Sequence, residues 1–448
     1  MKKLKYSRSV ATNMVISNMI GTGIFTAIGF QVLPGAIPDP FSILLIWFLG
    51  GLCSLCGAFA YIEIATSIKR SGGEYAFLSE LYHPLLGFIA GWISLIVGFA
   101  AAIASLSIAT GEYILPFLGL SKDYFFTLFS IDISISKLLA FAIVLCVAIV
   151  HLKGVSSGSI FQNIFTSFKL FFIFILLIIP FIFPYYEPAG ISFAPSEISY
   201  DTVLSLSFAG SFVWVMFSYS GWNASTYIVM NLDQPKKNLP FSLIKGTVLV
   251  TIIYILLNMT FMYVATFDEL AGEIDVGNIV TQKLLGSRGS VLFSGFFSIA
   301  LISGISAMFI AGPRVLEEMG KDYKFLKKFS SIGKGGTPVK AIVFQTIVSL
   351  LLILFTSFKD LIEYIGITLS LCSMLTVLGV FIARKRKYNH PDIIKAWGYP
   401  FTPLIFIAFS IWMFIYFIHE DPYKILWMFL TILPAILIYY FFKKRGGL

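Results

Sequence analysis

Apolar stretches of about twenty residues recur from one end of the chain to the other. Short segments carrying most of the proline, glycine and charge separate them. A helix of ~20 apolar residues covers the ~30 Å hydrocarbon layer of a bilayer, so each stretch predicts a membrane-spanning helix. Twelve spans follow, near 9–31, 41–67, 85–110, 135–150, 158–183, 205–229, 241–266, 288–312, 339–356, 361–383, 401–418 and 424–442. The longest connections are 111–134, 184–204, 267–287 and 313–338.

Two spans break the pattern. Span 1 contains Asn18-Met19-Ile20-Gly21-Thr22-Gly23-Ile24-Phe25, where two glycines around a threonine favour an unwound backbone. Span 6 contains Phe217-Ser218-Tyr219-Ser220-Gly221-Trp222-Asn223-Ala224-Ser225. Unwound backbone at membrane depth is tolerated only where protein or a watery cavity satisfies it. Paired breaks in corresponding halves point to a midplane binding site in a secondary transporter. The breaks lie five spans apart, an odd number, so the two halves would be inverted repeats. Span 1 would offer helical N–H groups to a carboxylate around Gly21, Thr22 and Gly23. Span 6 would offer carbonyls near Ser218, Ser220 and Gly221 to an ammonium. The competing reading of Gly-Thr-Gly is close helix packing. Phe217 is a candidate lid, or one more of 46 phenylalanines.

Composition agrees with a single polytopic membrane body. Of 448 residues, 58% are hydrophobic and only 12% charged, with mean hydropathy +0.88; soluble domains carry about 25% charged residues. The basic start, Met1-Lys2-Lys3-Leu4-Lys5, runs into a span with no small-residue cleavage site, so no signal peptide is expected. With the N-terminus taken as cytoplasmic, alternate connections hold 25 Lys and Arg inside and six outside, with Lys169 within a span. This asymmetry predicts both termini inside. The net charge of +9 is then topological and does not indicate nucleic-acid binding.

Lys169 stands inside span 5, where a lysine costs ~2.5 kcal/mol or more unless carbonyls, a carboxylate or water satisfy it. Snorkelling to the interface is the alternative. Glu63 in span 2 and Glu112 at the end of span 3 are candidates for proton coupling, although Glu63 lies near Lys69 and Arg70 and an interfacial ion pair is the plainer reading. His83, His151, His390 and His419 form no metal-ligand spacing. Cys53, Cys56, Cys146 and Cys372 all fall in apolar runs and read as inert thiols. No phosphate-binding loop or nucleotide fingerprint occurs, which argues against an ATP-driven pump and against an enzyme. No metal or cofactor is expected. The sequons at Asn223 and Asn258 fall within helices.

Taken together, several motifs make the chain resemble the amino acid–polyamine–organocation (APC) permeases, in the branch nearest the L-type amino acid exchangers and related bacterial permeases. They are the span 1 segment above, Ser71-Gly72-Gly73-Glu74-Tyr75, Tyr219-Ser220-Gly221-Trp222-Asn223 through Asn238-Leu239-Pro240, Ala311-Gly312-Pro313-Arg314-Val315, and Trp397-Gly398-Tyr399-Pro400. The resemblance covers nearly the whole length. It implies an all-α, twelve-helix, leucine-transporter-type fold forming one permease domain over 1–448. The 5+5 inverted repeat would be 9–183 and 205–383, with 401–442 appended.

The resemblance also implies an aromatic gate at Phe217 and a lysine at 169 occupying the place of a sodium ion, beside a hydroxyl at Ser303 (or Ser306). Substrate-pocket positions fall on Met19, Gly91, Leu95, Phe217, Ser220 and Ala307. Arginine–agmatine antiporters of the superfamily carry an acid where this chain has Asn223, and an asparagine where Leu95 aligns. Both departures disfavour a cationic side chain, and no carboxylate is expected near the site. The expectation is sodium-independent exchange or proton-linked transport of neutral L-amino acids in a bacterial inner membrane; the alternative is a cationic amino acid or polyamine permease. L-type exchangers pair with a glycoprotein by a disulfide, but no cysteine falls in an external connection, so no covalent partner subunit is expected.

Overall fold

The computed structural model describes residues 5–120, 125–128, 131–182, 190–355, 358–386, 388, 392–420 and 424–445. Lys2, Lys3, Lys122 and His390, used in the sequence reading, lie outside these.

Helices dominate. The chain opens with α1 (Arg8–Met19), whose first turn is capped by the Ser7 hydroxyl accepting from Val10 N. After an extended Ile20, α2 (Gly23–Gln31) resumes. Helix α3 (Pro40–Ile68) starts where the Asp39 carboxylate accepts from Ser42 N, with proline at its first position, where the missing N–H does no harm. It ends at Lys69 in left-handed backbone. The short α4 (Glu74–Leu81) follows. Helix α5 (Pro84–Ile93) continues through a π-helical segment (Ser94–Ala101) into α6 (Ala102–Phe117).

A hairpin of β1 (Phe125–Leu128) and β2 (Ile131–Ser134) then pairs Phe125 with Ser134. Next come α7 (Ile135–Leu152), α8 (Val155–Ile182), α9 (Glu197–Val203) and α10 (Leu206–Tyr219), with a 3-10 segment (Ala224–Asn231) beyond a break. The chain closes with α11 (Pro235–Val264), α12 (Phe267–Leu270), α13 (Val276–Asp322), α14 (Val339–Phe355), α15 (Phe358–Lys385), α16 (Phe401–Glu420) and α17 (Lys424–Lys444).

Each predicted span meets a helix, with two differences in extent. The chain is all-helical as expected, save for a small hairpin in connection 111–134. Span 3 extends to Phe117. Span 8 lies within a 47-residue helix that is interrupted at Gly286, where φ is 70°, and that takes in part of each flanking connection. Among the described residues seven helices are long and apolar enough to cross a membrane, or eight if the pair Glu197–Val203 and Leu206–Asn231, bent by 71°, counts as one.

The α1–α2 unit, the Pro84–Phe117 unit and α13 are buried along most of their length, whereas α7 and α8 are 33% buried. Helix α8 shows why. Ile160, Ile164, Phe171 and Phe174 share an exposed face, while Gln162, Thr166, Lys169, Ile173 and Leu176 recur at helical spacing on the buried one. Gln162, Thr166 and Lys169 face inward and the exposed face is mostly apolar, the arrangement a helix adopts beside lipid.

Candidate functional site

The two interruptions meet. A cavity in the centre of the bundle is lined by Met19, Gly21, Thr22 and Gly23 from the first break, and by Phe217, Ser218, Ser220 and Gly221 from the second. Thr22 heads α2 with no side-chain cap. A helix start leaves N–H groups without intrahelical partners, and the dipole there favours negative charge. Opposite it, α10 stops at Tyr219, and Gly221 takes a left-handed φ of 96°.

The glycines divide their work. A Cβ on Gly23 would lie 2.6 Å from Ser218 Oγ and 3.2 Å from Ser218 Cα, so this glycine lets the two breaks touch. A Cβ on Gly221 would stand 2.6 Å from Asn18 Cβ. On Gly21 it would meet only Leu106 Cδ2, at an ordinary 3.6 Å. Close packing and an open site, rival readings in the sequence, therefore hold at different glycines. Tyr254 of α11 joins the breaks further. Its hydroxyl lies 2.6 Å from Met19 O and 2.8 Å from Ser218 O, carbonyls that helix termination has released.

Lys169 is buried beneath the first break. Its ammonium donates to Ile20 O and, at 3.4 Å, to Ser17 O, placing a cation at the carbonyl end of α1. This is not snorkelling. The expected hydroxyl from α13 is otherwise engaged: Ser303 donates to Ala300 O at 2.8 Å, and Ser306 pairs with His151 Nε2 at 3.0 Å.

Three aligned positions fall away from the cavity. Gly91 packs against Tyr75 and Met319. Leu95 belongs to a side cluster with Leu316, Phe329 and Ala341. Ala307 is wholly buried in the core. The π-helical segment, Ser94–Ala101, is the physical reason for Leu95. It inserts extra residues per turn, which shifts the face presented to the cavity to Gly98, Phe99, Ala102 and Leu106. On α13 the cavity residue is Met308, one position on. Helix α16, treated as an appendage in the sequence reading, lines the cavity with Phe406, Phe409, Ser410 and Met413.

Glu63 does not pair with Lys69 or Arg70. Arg384 grips it with two bonds of 2.8 Å and Ala396 N adds a third at 2.6 Å; Lys69 pairs with Asp392 and Arg70 with Asp322. Glu112 sits half-buried near the far end of α6. The expectation that no carboxylate lies near the site is overturned by Glu74. It lines the cavity, is 1% exposed, and bonds to Asn223 of the second break at 3.1 Å. Its signal in the sequence was an acid following two glycines. Both adopt positive φ (93° at Gly72, 54° at Gly73) and fold α4 back under the bundle.

Apolar helices enclosing a cavity between two broken helices define a secondary transporter, a multi-pass membrane protein and not an enzyme. The sequence matches the amino acid permease family over residues 7–441, and the chain belongs to that family. It is 29% identical to the b(0,+)-type amino acid transporter 1 of Mus musculus, over 96% of this chain and 86% of that protein. It is 27% identical to the serine/threonine exchanger SteT of Bacillus subtilis (strain 168), over 97% and 96%. The large neutral amino acids transporter small subunit 2 of Mus musculus is 26% identical, over 92% and 76%. Amino acid transport is thus the activity of its relatives.

Proposed function

We propose that the chain is a sodium-independent exchanger or proton-linked permease for neutral L-amino acids, working by alternating access. The observation that carries this reading is the meeting of two helix breaks in one cavity. The start of α2 would bind the carboxylate. The carbonyls of the α10 end would bind the ammonium, with Thr22 and Ser220 adding hydroxyls and Phe217 closing over the ligand. Lys169, bonded to Ser17 O and Ile20 O, fills the position a coupling sodium would need, which supports sodium independence.

The reading takes twelve spans in two inverted repeats, 9–183 and 205–383, with 401–442 added, both termini cytoplasmic, in a bacterial inner membrane. Spans 1, 2, 6 and 7 rock against spans 3, 4, 8 and 9. The ligand drives this through its different affinities for the two states. No covalent partner subunit is required. The name of SteT supports a small hydroxylated substrate; that of the large neutral transporter supports a bulkier one. One observation favours the alternative, a cationic amino acid or polyamine substrate: the Glu74 carboxyl in the cavity wall.

Reconstituted protein preloaded with unlabelled serine should take up labelled serine, equally well when choline replaces sodium. Arginine and putrescine should compete at least about tenfold more weakly than serine, a gap of ~1.4 kcal/mol. Equal competition by arginine would install the cationic reading. No uptake of any amino acid or of putrescine would overturn both.

A further inference from the structure

We infer that Glu74 is a proton-binding site in the cavity wall: its carboxyl holds a proton on Oε2 while it is buried as here, and yields it when the cavity opens and admits water to it. This deepens the transport reading and rests on it only for the coupling to substrate.

The geometry is lopsided. Oε1 receives three donors: Tyr61 Oη at 2.6 Å, Ser373 Oγ at 2.8 Å and Asn223 Nδ2 at 3.1 Å. Oε2 is buried and has no partner. A carboxylate would leave a charged oxygen buried without a donor, which is costly. A carboxylic acid with its proton on Oε2 keeps an acceptor where the donors converge and leaves a neutral O–H, not a charged oxygen, without a partner, which costs less.

Charge is missing around it. Helix α3 presents Tyr61. The second break and the 3-10 segment present Asn223 and Tyr227, and α15 presents Cys372 and Ser373. At the head of α5, the His83 ring accepts from Leu85 N. From α13, Glu318 and Asp322 are taken up by Arg70, with Lys321 also on Glu318. Among the described residues Glu74 enters no ion pair, whereas the buried Glu63, Glu317 and Glu318 each hold a cation. Glu74 lies in α4, outside the spanning segments. Burial pushes its carboxyl up from 4.5 to about 7, against the opposite pull of Tyr61, Ser373 and Asn223. The step is a proton transfer alone: the Oε2–H bond breaks, a water takes the proton, and the carboxylate that remains is solvated by the opened cavity.

A carboxyl raised in the folded state binds more protons there than in the unfolded chain between the two values. Its penalty on stability is absent below about 4.5, grows through that window and is complete above about 7. Thermal midpoints of the full-length wild type and Glu74→Gln should therefore diverge as pH rises from about 4.5 to about 7, the wild type falling relative to the variant, and run parallel above it. A constant difference across the window would overturn the inference.

Infrared titration of the wild type covers the case in which Glu74→Gln fails to fold. A protonated-carboxyl band that bleaches near pH 7, and moves in Glu74→Asp, supports the site; absence of such a band above about pH 5 overturns it. Labelled-serine exchange by the wild type should bend near neutral pH, and the bend should flatten in Glu74→Gln; the same bend in both rejects coupling. A wild type that exchanges no amino acid would sink the transport reading, while the thermal and infrared results still decide Glu74.

Discussion

Lys169 and Glu74 show what a single residue reveals and conceals. A lysine within a 28-residue apolar helix is conspicuous in any sequence, because it must be satisfied at membrane depth. Its carbonyl partners on α1 follow from the break. Its supposed hydroxyl partner does not, because a helical serine can turn back onto its own backbone, as Ser303 does. Removing the lysine leaves Ser17 O and Ile20 O without that donor. Lys169→Ala should lose about 1–3 kcal/mol of stability, read as a lower thermal midpoint, together with most serine exchange. Wild-type values of both would show that the ammonium serves neither. Glu74 stayed hidden for the opposite reason. By sequence it lies in a polar connection, where an acid looks solvated, and only the folding of α4 under the bundle buries it.

At the scale of elements, the breaks were legible and the phases of the helices around them were not. Glycine pairs flanked by apolar residues announce an interruption. They do not say which glycine carries contact and which carries space. Two alanine variants separate these. Gly221→Ala forces a left-handed backbone, costing about 1–2 kcal/mol, and drives a Cβ into Asn18, costing about 1–3 kcal/mol more. It should fold poorly by thermal midpoint. Gly21→Ala meets no close atom, so it should keep a midpoint within about 1 kcal/mol of wild type while serine exchange drops; normal exchange would remove Gly21 from the carboxylate site. The misplacement of Leu95 has a simple origin. Each residue advances an α-helix by about 100°, so a π-helical stretch with identical apolar composition turns a different face to the cavity. Hydropathy cannot register that.

On the scale of the whole molecule, segments far apart in the sequence are tied at two ends by contacts that the span pattern does not encode. At one end Arg70 and Tyr75 reach Asp322 at 2.6 and 2.5 Å. At the other, Thr26 donates to Ile274 O at 3.0 Å, and Gly272 N donates to Gly29 O at 2.9 Å. The Arg70–Asp322 pair is partly exposed and screened, so breaking it should change global stability by less than about 1 kcal/mol while loosening that end. Asp322→Asn, in a Cys146→Ser background, should raise maleimide labelling of the cavity-lining Cys53 several-fold, as mapped by mass spectrometry. Unchanged labelling would show that the link does not hold the cavity shut. The tie made by Tyr254 reaches across the molecule in a subtler way. A hydroxyl has one hydrogen and here faces two acceptors, one on each broken helix, so the two compete for it. An amine arriving at the Ser218 carbonyl would supply that acceptor from outside and release the phenolic hydrogen to the Met19 carbonyl. Occupancy sensed on one half of the chain would thus be felt on the other as a stronger bond to Met19 O.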